Sequence, residues 1–199
     1  MRITAEDLAC ERGGRLVFSG VNFAVNDGAF LQLTGPNGSG KSSLLRLIAG
    51  LSDPASGRVT ADGINEDVSL SQHCHYIAHA DASKSALTVL ENLIFWCRFL
   101  SGGDPSLAMS AMNLTSLATY PVALLSAGQK RRLALARLSL AVRKVWLLDE
   151  PNVGLDETSQ NLLVNIMRTH LKNAGIIIAA THVPLGLIPH HTLHLDSAK

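Results

Sequence analysis

Hydrophobic and polar residues follow two different periods along this chain, and the shorter period predicts strands near both of its ends. Residues 1–34 have the pattern of strands, since 21–25 alternate with period two and 30–33 form a short apolar run. Two later runs, 145–148 and 176–180, are continuously apolar, which is typical of strands buried on both faces of a parallel sheet. The pattern therefore predicts a buried parallel sheet with a strand-rich region before it.

Helix signals alternate with these strands. Residues 41–49 place leucine and isoleucine on one side of a predicted helix, and 157–173 show a second helical pattern. The middle of the chain has three further helix starts, each marked by a residue suited to capping: Thr88, Asp104 and Ser126. Strands alternating with helices, interrupted by a mostly helical stretch, indicate an α/β core that carries a helical insertion.

The length of the chain indicates one domain. At 199 residues, two domains would each be small, so 1–199 is expected to form a single unit. Within it, we expect the core and the N-terminal β region to occupy about 1–80 and 141–199. The helical subdomain is expected at about 81–140.

Composition and charge exclude several classes of protein. Hydrophobic residues make up 47% and charged residues 17%, which excludes a disordered chain. The net charge of +1 and the 5% aromatic content argue against nucleic acid as a partner. Neither a continuous apolar stretch of membrane-spanning length nor an apolar signal core is apparent, so export is not expected.

Charged residues are scarce in one part of the chain. Residues 82–129 hold only four of the 33 charged residues, although they make up about a quarter of the length. Two interpretations are open. The insertion buries its helices against one another, or it presents a weakly charged face on which a partner docks.

Cysteine and histidine offer no clear metal site. The three cysteines are odd in number and lack metal-ligand spacing, which indicates reduced thiols in a cytosolic protein. Two histidine groups, within 73–75 and 190–194, do not form a ligand set of known spacing. These histidines are expected at the surface or at strand ends.

The segment after the strand at 30–33 carries the strongest chemical signal. It fits the phosphate-binding pattern G-x-x-x-x-G-K-S, and it lies between a predicted strand and a predicted helix, as that motif requires. Glycines let backbone N–H groups turn toward phosphates, and the helix N-terminus adds a positive dipole. The expected nucleotide-binding residues are Gly35, Pro36, Asn37, Gly38, Ser39, Gly40, Lys41, Ser42 and Ser43.

Two acidic residues follow the apolar run at 145–148. Asp149 would lie at the end of a buried strand beside the phosphate loop, where an aspartate and the Ser42 hydroxyl hold Mg²⁺ in proteins with such a loop. Glu150 is then placed to polarise the attacking water. The alternative is an acidic pair that caps a helix or faces solvent.

A further group of motifs resembles a known family. Leu125 is followed by Ser126, Ala127, Gly128 and Gln129, which resembles the Leu-Ser-Gly-Gly-Gln signature of ABC-transporter ATPases, with alanine at one glycine position. The order of phosphate loop, signature, acidic strand end and a late Thr181-His182 is similar to that family along nearly the whole chain. The segment 154–156 resembles its D-loop. The resemblance implies a P-loop NTPase with a RecA-like core, an N-terminal antiparallel β region and a helical insertion.

The resemblance also implies how the site is built. Two copies would pair head to tail, so that each ATP lies between the phosphate loop of one copy and the signature of the other. His182 would contact the γ-phosphate. Two positions depart from the family pattern: Arg12 stands where an aromatic residue commonly stacks on adenine, and His79 stands where a glutamine usually faces Mg²⁺. Either Arg12 stacks through its guanidinium plane, or it is a solvated turn residue.

Several short matches resemble one branch of the family, the ATP-binding subunits of cytochrome c maturation complexes. This implies an ATPase on the cytoplasmic face of the inner membrane, bound to separate integral-membrane subunits, that drives haem export or the release of a haem–chaperone complex. The alternatives are the ATPase subunit of another ABC transporter and a soluble ABC protein without a transport role.

Overall fold

The first sheet is formed by the N-terminal third of the chain. The computed structural model describes residues 1–64 and 68–196. Three antiparallel strands lie in the order β2-β1-β4, with bounds Arg2–Arg12 for β1, Arg15–Asn26 for β2 and Ser56–Asp62 for β4. A two-residue turn of Gly13 and Gly14 joins β1 to β2, and both residues have the positive φ that such hairpins need.

The second sheet is parallel and positions the site. Its five strands lie in the order β5-β6-β7-β3-β8, with bounds Phe30–Thr34 for β3, Cys74–Ile77 for β5, Val145–Asp149 for β6, Ile176–Ala180 for β7 and His191–His194 for β8. Every residue of β6 and β7 is buried. This explains why both strands are apolar throughout, because each face of a central parallel strand is covered.

Within the described residues, five α-helices complete the fold, and all of them except α1 have a side-chain cap at their first turn. Their bounds are Lys41–Ile48 for α1, Val89–Leu100 for α2, Pro105–Ala111 for α3, Ala127–Ala136 for α4 and Glu157–Lys172 for α5. Thr88 and Ser126 form complete capping boxes with Glu91 and Gln129. Asp104 and Asp156 accept hydrogen bonds from the first turns of α3 and α5.

Two hydrophobic clusters lie on opposite faces of the parallel sheet. One joins α1 and the antiparallel sheet to alternate residues of β6, Val145 and Leu147. The other joins α2, α3, α4 and α5 to the remaining two apolar residues of β6, Trp146 and Leu148. Side chains alternate across a strand, so the same short segment anchors both layers.

The α/β prediction is confirmed, and the five predicted helices are present. Three strands, β4, β5 and β8, were not among the predicted elements. Helices α2, α3 and α4 fall within the expected insertion, although its boundaries remain a prediction. Among the described residues, none of the helices combines the length and the apolar character needed to span a bilayer.

Candidate nucleotide-hydrolysis site

The carboxyl ends of four parallel strands converge on one cleft of about 250 Å³. Because parallel strands all end at the same edge of a sheet, residues distant in sequence meet there. The cleft is lined by residues from the phosphate loop, from the loop after β5, from the end of β6 and from the loop after β7: Asn37, Gly38, Lys41, Ser42, His79, Asp149, Glu150 and His182. The structure thus brings together all of the residues predicted for hydrolysis and for the metal.

The phosphate loop is shaped by close backbone contacts. Gly40 caps α1 with φ of 96°, and a Cβ there would lie 2.7 Å from side-chain carbons of Val17 and Phe18. Gly35 has φ of 134°, and a Cβ there would collide with the Leu195 carbonyl. Both positions therefore require glycine for conformation and for space. Residues of β2 and the residue that follows β8 thus pack against the loop from outside.

Lys41 is held by its own loop. Only 8% of the residue is exposed, and its Nζ donates hydrogen bonds to the carbonyls of Gly35 at 2.7 Å and Pro36 at 2.9 Å. The hydroxyl of Ser39, which is wholly buried, has no hydrogen-bond partner among the described residues. A charged ammonium and an unpaired hydroxyl in one loop are groups that phosphate oxygens would satisfy.

Glu150 occupies an unusual backbone conformation at the end of β6. Asp149 is the last residue of the strand and is 5% exposed, whereas Glu150 has φ of 46°, which is rare outside glycine. The Glu150 N–H donates to the Ala180 carbonyl at 2.9 Å. Its Oε1 lies 3.6 Å from Nε2 of His182. Backbone strain of this kind is a feature of functional sites, where the surroundings hold it in place.

An arginine that sequence reasoning missed supports this strand end. Arg131 on α4 is 4% exposed and donates to the carbonyls of Asp149, Glu150 and Pro151. It lies in a run of three basic residues, which looks like a solvated face. The available signal was its helical spacing from Ala134, Leu135 and Leu138, all of which are buried.

The signature and Arg12 lie away from this cleft. Ser126 and Ala127 are exposed at the start of α4, with Gly128 and Gln129 half-buried beside them. A Cβ on Gly128 would lie 2.8 Å from the Gly154 carbonyl, so the signature contacts the segment that resembles the D-loop. Arg12 is exposed at the end of β1, and Ser43 lies inside α1. Their binding roles remain predictions.

Each of the two histidine groups has members that lie in the parallel sheet or contact it. His75 in β5 is 4% exposed, and its Nε2 lies 2.9 Å from the Ala141 carbonyl. Burial lowers the pKa of this imidazole to about 4. In the second group, the Phe30 N–H donates to Nδ1 of His190, and His194 contacts the Thr34 hydroxyl. His190 and His194 thus contact the neighbouring strand β3, whereas His75 belongs to the interior and not to the surface.

The residues in the cleft fit a magnesium ion. Ser42 supplies a hydroxyl and Asp149 a carboxylate, and both line the cleft with the phosphate loop. Mg²⁺ prefers hard oxygen ligands, and it keeps the rest of its shell from water and phosphate. When bound, the ion would neutralise negative charge on the phosphates. His79 lies in the same cleft, so its predicted position facing the metal is compatible with the structure.

A parallel sheet with a phosphate loop at its switch point, an acidic strand end and a helical insertion defines a P-loop ATPase cassette. Residues 18–153 match the family described as ABC transporter, and the chain belongs to that family. It is 51% identical over 189 residues to the cytochrome c biogenesis ATP-binding export protein CcmA of Nitrobacter winogradskyi, with 94% of each chain covered. The protein of the same name from Rhodopseudomonas palustris strain HaA2 is 48% identical over 190 residues, again with 94% of each chain covered.

Solved structures share the fold. A putative ABC transporter ATP-binding protein from Pyrococcus furiosus superimposes with a TM-score of 0.83 at 22% identity, covering 98% of both chains. The dimeric cassette MJ0796, described as a bacterial ABC transporter cassette, also gives 0.83 at 22% identity, covering 98% of this chain and 94% of that one. These similarities confirm the predicted ABC ATPase fold.

Proposed function

We propose that this chain is the ATP-hydrolysing subunit of a membrane ABC complex that acts in cytochrome c maturation. The observation that carries the proposal is the single cleft shared by Lys41, Ser42, Asp149, Glu150 and His182. The high identity to CcmA proteins over nearly the whole chain supports the cytochrome c assignment. The work done by the complex is haem export or the release of a haem–chaperone complex.

Each group in the cleft has a task in hydrolysis. Lys41 would exchange its two loop carbonyls for the β- and γ-phosphates, and its charge would stabilise the transferring phosphoryl group. Ser42 and Asp149 would hold Mg²⁺. Glu150 would accept a hydrogen bond from the attacking water and take up its proton. His182, 3.6 Å from Glu150, would donate to the γ-phosphate.

The site is completed by a second copy of the chain. The signature residues 126–129 lie outside their own cleft and start a helix. Because the capping box uses the N–H groups of Ser126 and Gln129, those of Ala127 and Gly128 would face a phosphate bound by another molecule. A solved cassette of the same fold is a dimer, which supports this pairing. Closure on ATP and opening after hydrolysis would then supply the motion that drives the complex.

The helical subdomain offers a face for the membrane subunits. A groove of about 530 Å³ on α2 is lined mostly by apolar side chains: Leu87, Ile94, Phe95 and Phe99, with Glu91 and Arg98 at its rim. Phe99 is 70% exposed, which is costly unless a partner covers it. The chain would bind there to integral-membrane subunits, from the cytoplasmic face of the inner membrane.

The test is a Glu150→Gln variant studied by size-exclusion chromatography with ATP, with ADP and without nucleotide. The amide cannot act as a base, so ATP should stay bound and the variant should elute as a dimer only with ATP. Phosphate release should fall by about 100-fold or more. Lys41→Ala is the control that should lose the ATP-dependent dimer. A Glu150→Gln protein that stays monomeric with saturating ATP would contradict the paired site.

The cytochrome c role has its own test in cells that lack this subunit. Haem staining should show mature c-type cytochromes restored by the wild-type chain and absent with Lys41→Ala at equal protein levels. Accumulation of the haem-loaded chaperone in the membrane would favour release of that complex, whereas its failure to load would favour haem export. Full restoration by Lys41→Ala would contradict the proposal.

A further inference from the structure

The guanidinium of Arg131 uses every donor it has. Its five N–H groups meet five acceptors: the carbonyls of Pro151 at 3.2 Å, Ala78 at 2.9 Å, Asp149 at 2.7 Å and Glu150 at 2.8 Å, and Oδ1 of Asp81 at 2.9 Å. Among standard side chains, only arginine presents five donors in one plane. Arg131 is only 4% exposed, and all of its side-chain donors are hydrogen-bonded. A fully satisfied buried network of this kind fixes the segments that it joins.

Three of these carbonyls belong to consecutive residues around Glu150. Successive carbonyls of an extended strand point in opposite directions, so they could not converge on one group. The left-handed conformation of Glu150, with φ of 46°, breaks the strand and coincides with this convergence. That conformation costs about 1–2 kcal/mol for a residue with a Cβ, and Arg131 is the group in place to offset the cost.

Arg131 also reaches the loop that carries His79. Its Nη1 bonds the Ala78 carbonyl and forms an ion pair with Asp81, so it grips that loop on both sides of His79. At the same time it belongs to α4, whose first residues are the signature. Arg131 follows Ser126 by five residues, which is about 7.5 Å along a helix. One side chain therefore joins the signature helix to the two segments that place Glu150 and His79 in the cleft.

We propose that Arg131 is a positioning residue that holds Glu150 and His79 in their places for hydrolysis and links both to the signature helix of the same chain. The inference rests on the proposed function, in which the signature binds the nucleotide of the second copy. When the signature contacts that nucleotide, any shift of the signature helix would be passed through Arg131 to Glu150 of the same chain. Arg131 itself touches backbone and Asp81, so it acts through the residues it holds.

The first test compares Arg131→Lys with Arg131→Gln. Neither side chain supplies five planar donors, so kcat for ATP hydrolysis should fall by about 10- to 100-fold, the effect of a small displacement of reacting groups. KM and the affinity for a fluorescent ATP analogue should stay within about threefold, because the phosphate loop is untouched. Arg132→Gln is the matched control, since the neighbouring arginine donates, within the described part of the chain, to the Met112 and Asn113 carbonyls. Its kcat should stay within about twofold of wild type.

A milder variant covers the case in which both substitutions impair folding. Asp81→Asn keeps an acceptor for Arg131 but removes the charge, so kcat should fall by about threefold with ATP affinity unchanged. Values of kcat within about twofold of wild type in both Asp81→Asn and Arg131→Lys would overturn the proposal. So would a fall in kcat that only follows the loss of folded protein, measured by circular dichroism.

A second readout does not depend on hydrolysis. The Val153 N–H is bonded to the Glu150 carbonyl, and the Glu150 N–H to the Ala180 carbonyl. Hydrogen exchange at these two amides should speed up by about tenfold in Arg131→Lys and remain as in wild type in Arg132→Gln. If the wild type fails to hydrolyse ATP, the proposed function fails, yet the exchange experiment still tests the junction. Unchanged exchange at both amides in Arg131→Lys would refute it.

Discussion

Acid should destabilise this protein through a buried histidine. His75 lies in β5 beside Arg143 and Arg137, and burial, aided by the positive charges of these two arginines, lowers its pKa to about 4. In the unfolded chain a histidine titrates near ~6.5. Because the folded pKa is the lower one, the unfolded state takes up its proton first as the pH falls. The contribution of neutral His75 to the free energy of unfolding is therefore fully present above pH ~6.5, and it is lost as the pH falls from ~6.5 to about 4.

The size of the effect follows from the two pKa values. One pKa unit corresponds to ~1.36 kcal/mol, and pH ~5 lies ~1.5 units below the unfolded value, so His75 should cost about 2 kcal/mol at that pH. Burial also lowers the pKa of His170 to about 4, but its ring is partly exposed, so we allow about 1 kcal/mol for it. Together these losses are a large share of the ~5–15 kcal/mol that stabilises a typical domain.

The assay is urea unfolding at pH 7.5 and pH 5 without nucleotide. Wild type and His75→Gln are compared, because glutamine does not titrate and its amide can still donate to Ala141. The free energy of unfolding should drop by about 2 kcal/mol less in His75→Gln than in wild type. Carboxylates with lowered pKa values, such as Asp156 with its hydrogen bonds from Ser159, contribute equally to both proteins and cancel. His191→Gln, on an exposed strand, controls for the loss of one histidine.

Two outcomes would refute this reasoning. One is an equal loss of stability on acidification in wild type and His75→Gln. The other is an NMR titration in which the imidazole of His75 takes up its proton near pH 6.5 in the folded state. Either result would mean that water or a mobile β5 solvates the ring, in spite of its 4% exposure.

Three further outcomes are expected. Lys41→Ala should lower ATP turnover by about 100-fold or more, since it removes the positive charge that stabilises the transferring phosphoryl group. Turnover near the wild-type value in a phosphate-release assay would exclude the assigned site. His79→Gln should keep activity within about threefold because its amide oxygen can face the metal, whereas His79→Ala should lose about tenfold; equal rates in the two variants would remove His79 from the site. Phe99→Asp should release the chain from membranes in a flotation assay and leave soluble ATPase activity unchanged, and continued flotation would place the docking face elsewhere.

Sequence pattern predicted the parts of the fold that local chemistry determines. The capping boxes at Thr88 and Ser126 start α2 and α4, and the apolar runs become the buried strands β6 and β7. Strands β5 and β8 were not predicted because they are four residues long and read Cys-His-Tyr-Ile and His-Thr-Leu-His. Segments this short, with polar residues among apolar ones, take their strand conformation from pairing with a neighbour.

The candidate site was predicted almost wholly from its motifs, since each motif marks the end of a strand and strand ends converge. The supporting groups could not be found in the same way. Arg131 forms hydrogen bonds with partners that lie 18 to 53 residues away in sequence. The local sequence around the arginine does not predict these partners. The left-handed conformation of Glu150 likewise depends on groups brought from β7 and α4.

Because Gly128 contacts Gly154, two neighbouring signature positions differ in the side chains that they can accommodate. Position 128 is closed to any side chain, because a methyl group would meet the Gly154 carbonyl within this chain. Position 127 is exposed and already carries a methyl group. Substitutions at 127 would therefore change the surface that a second molecule meets in the proposed dimer, whereas substitutions at 128 would disturb the packing within this chain. A pair of complementary cassettes could be made to prefer each other over themselves by changing residue 127 and leaving residue 128 as glycine.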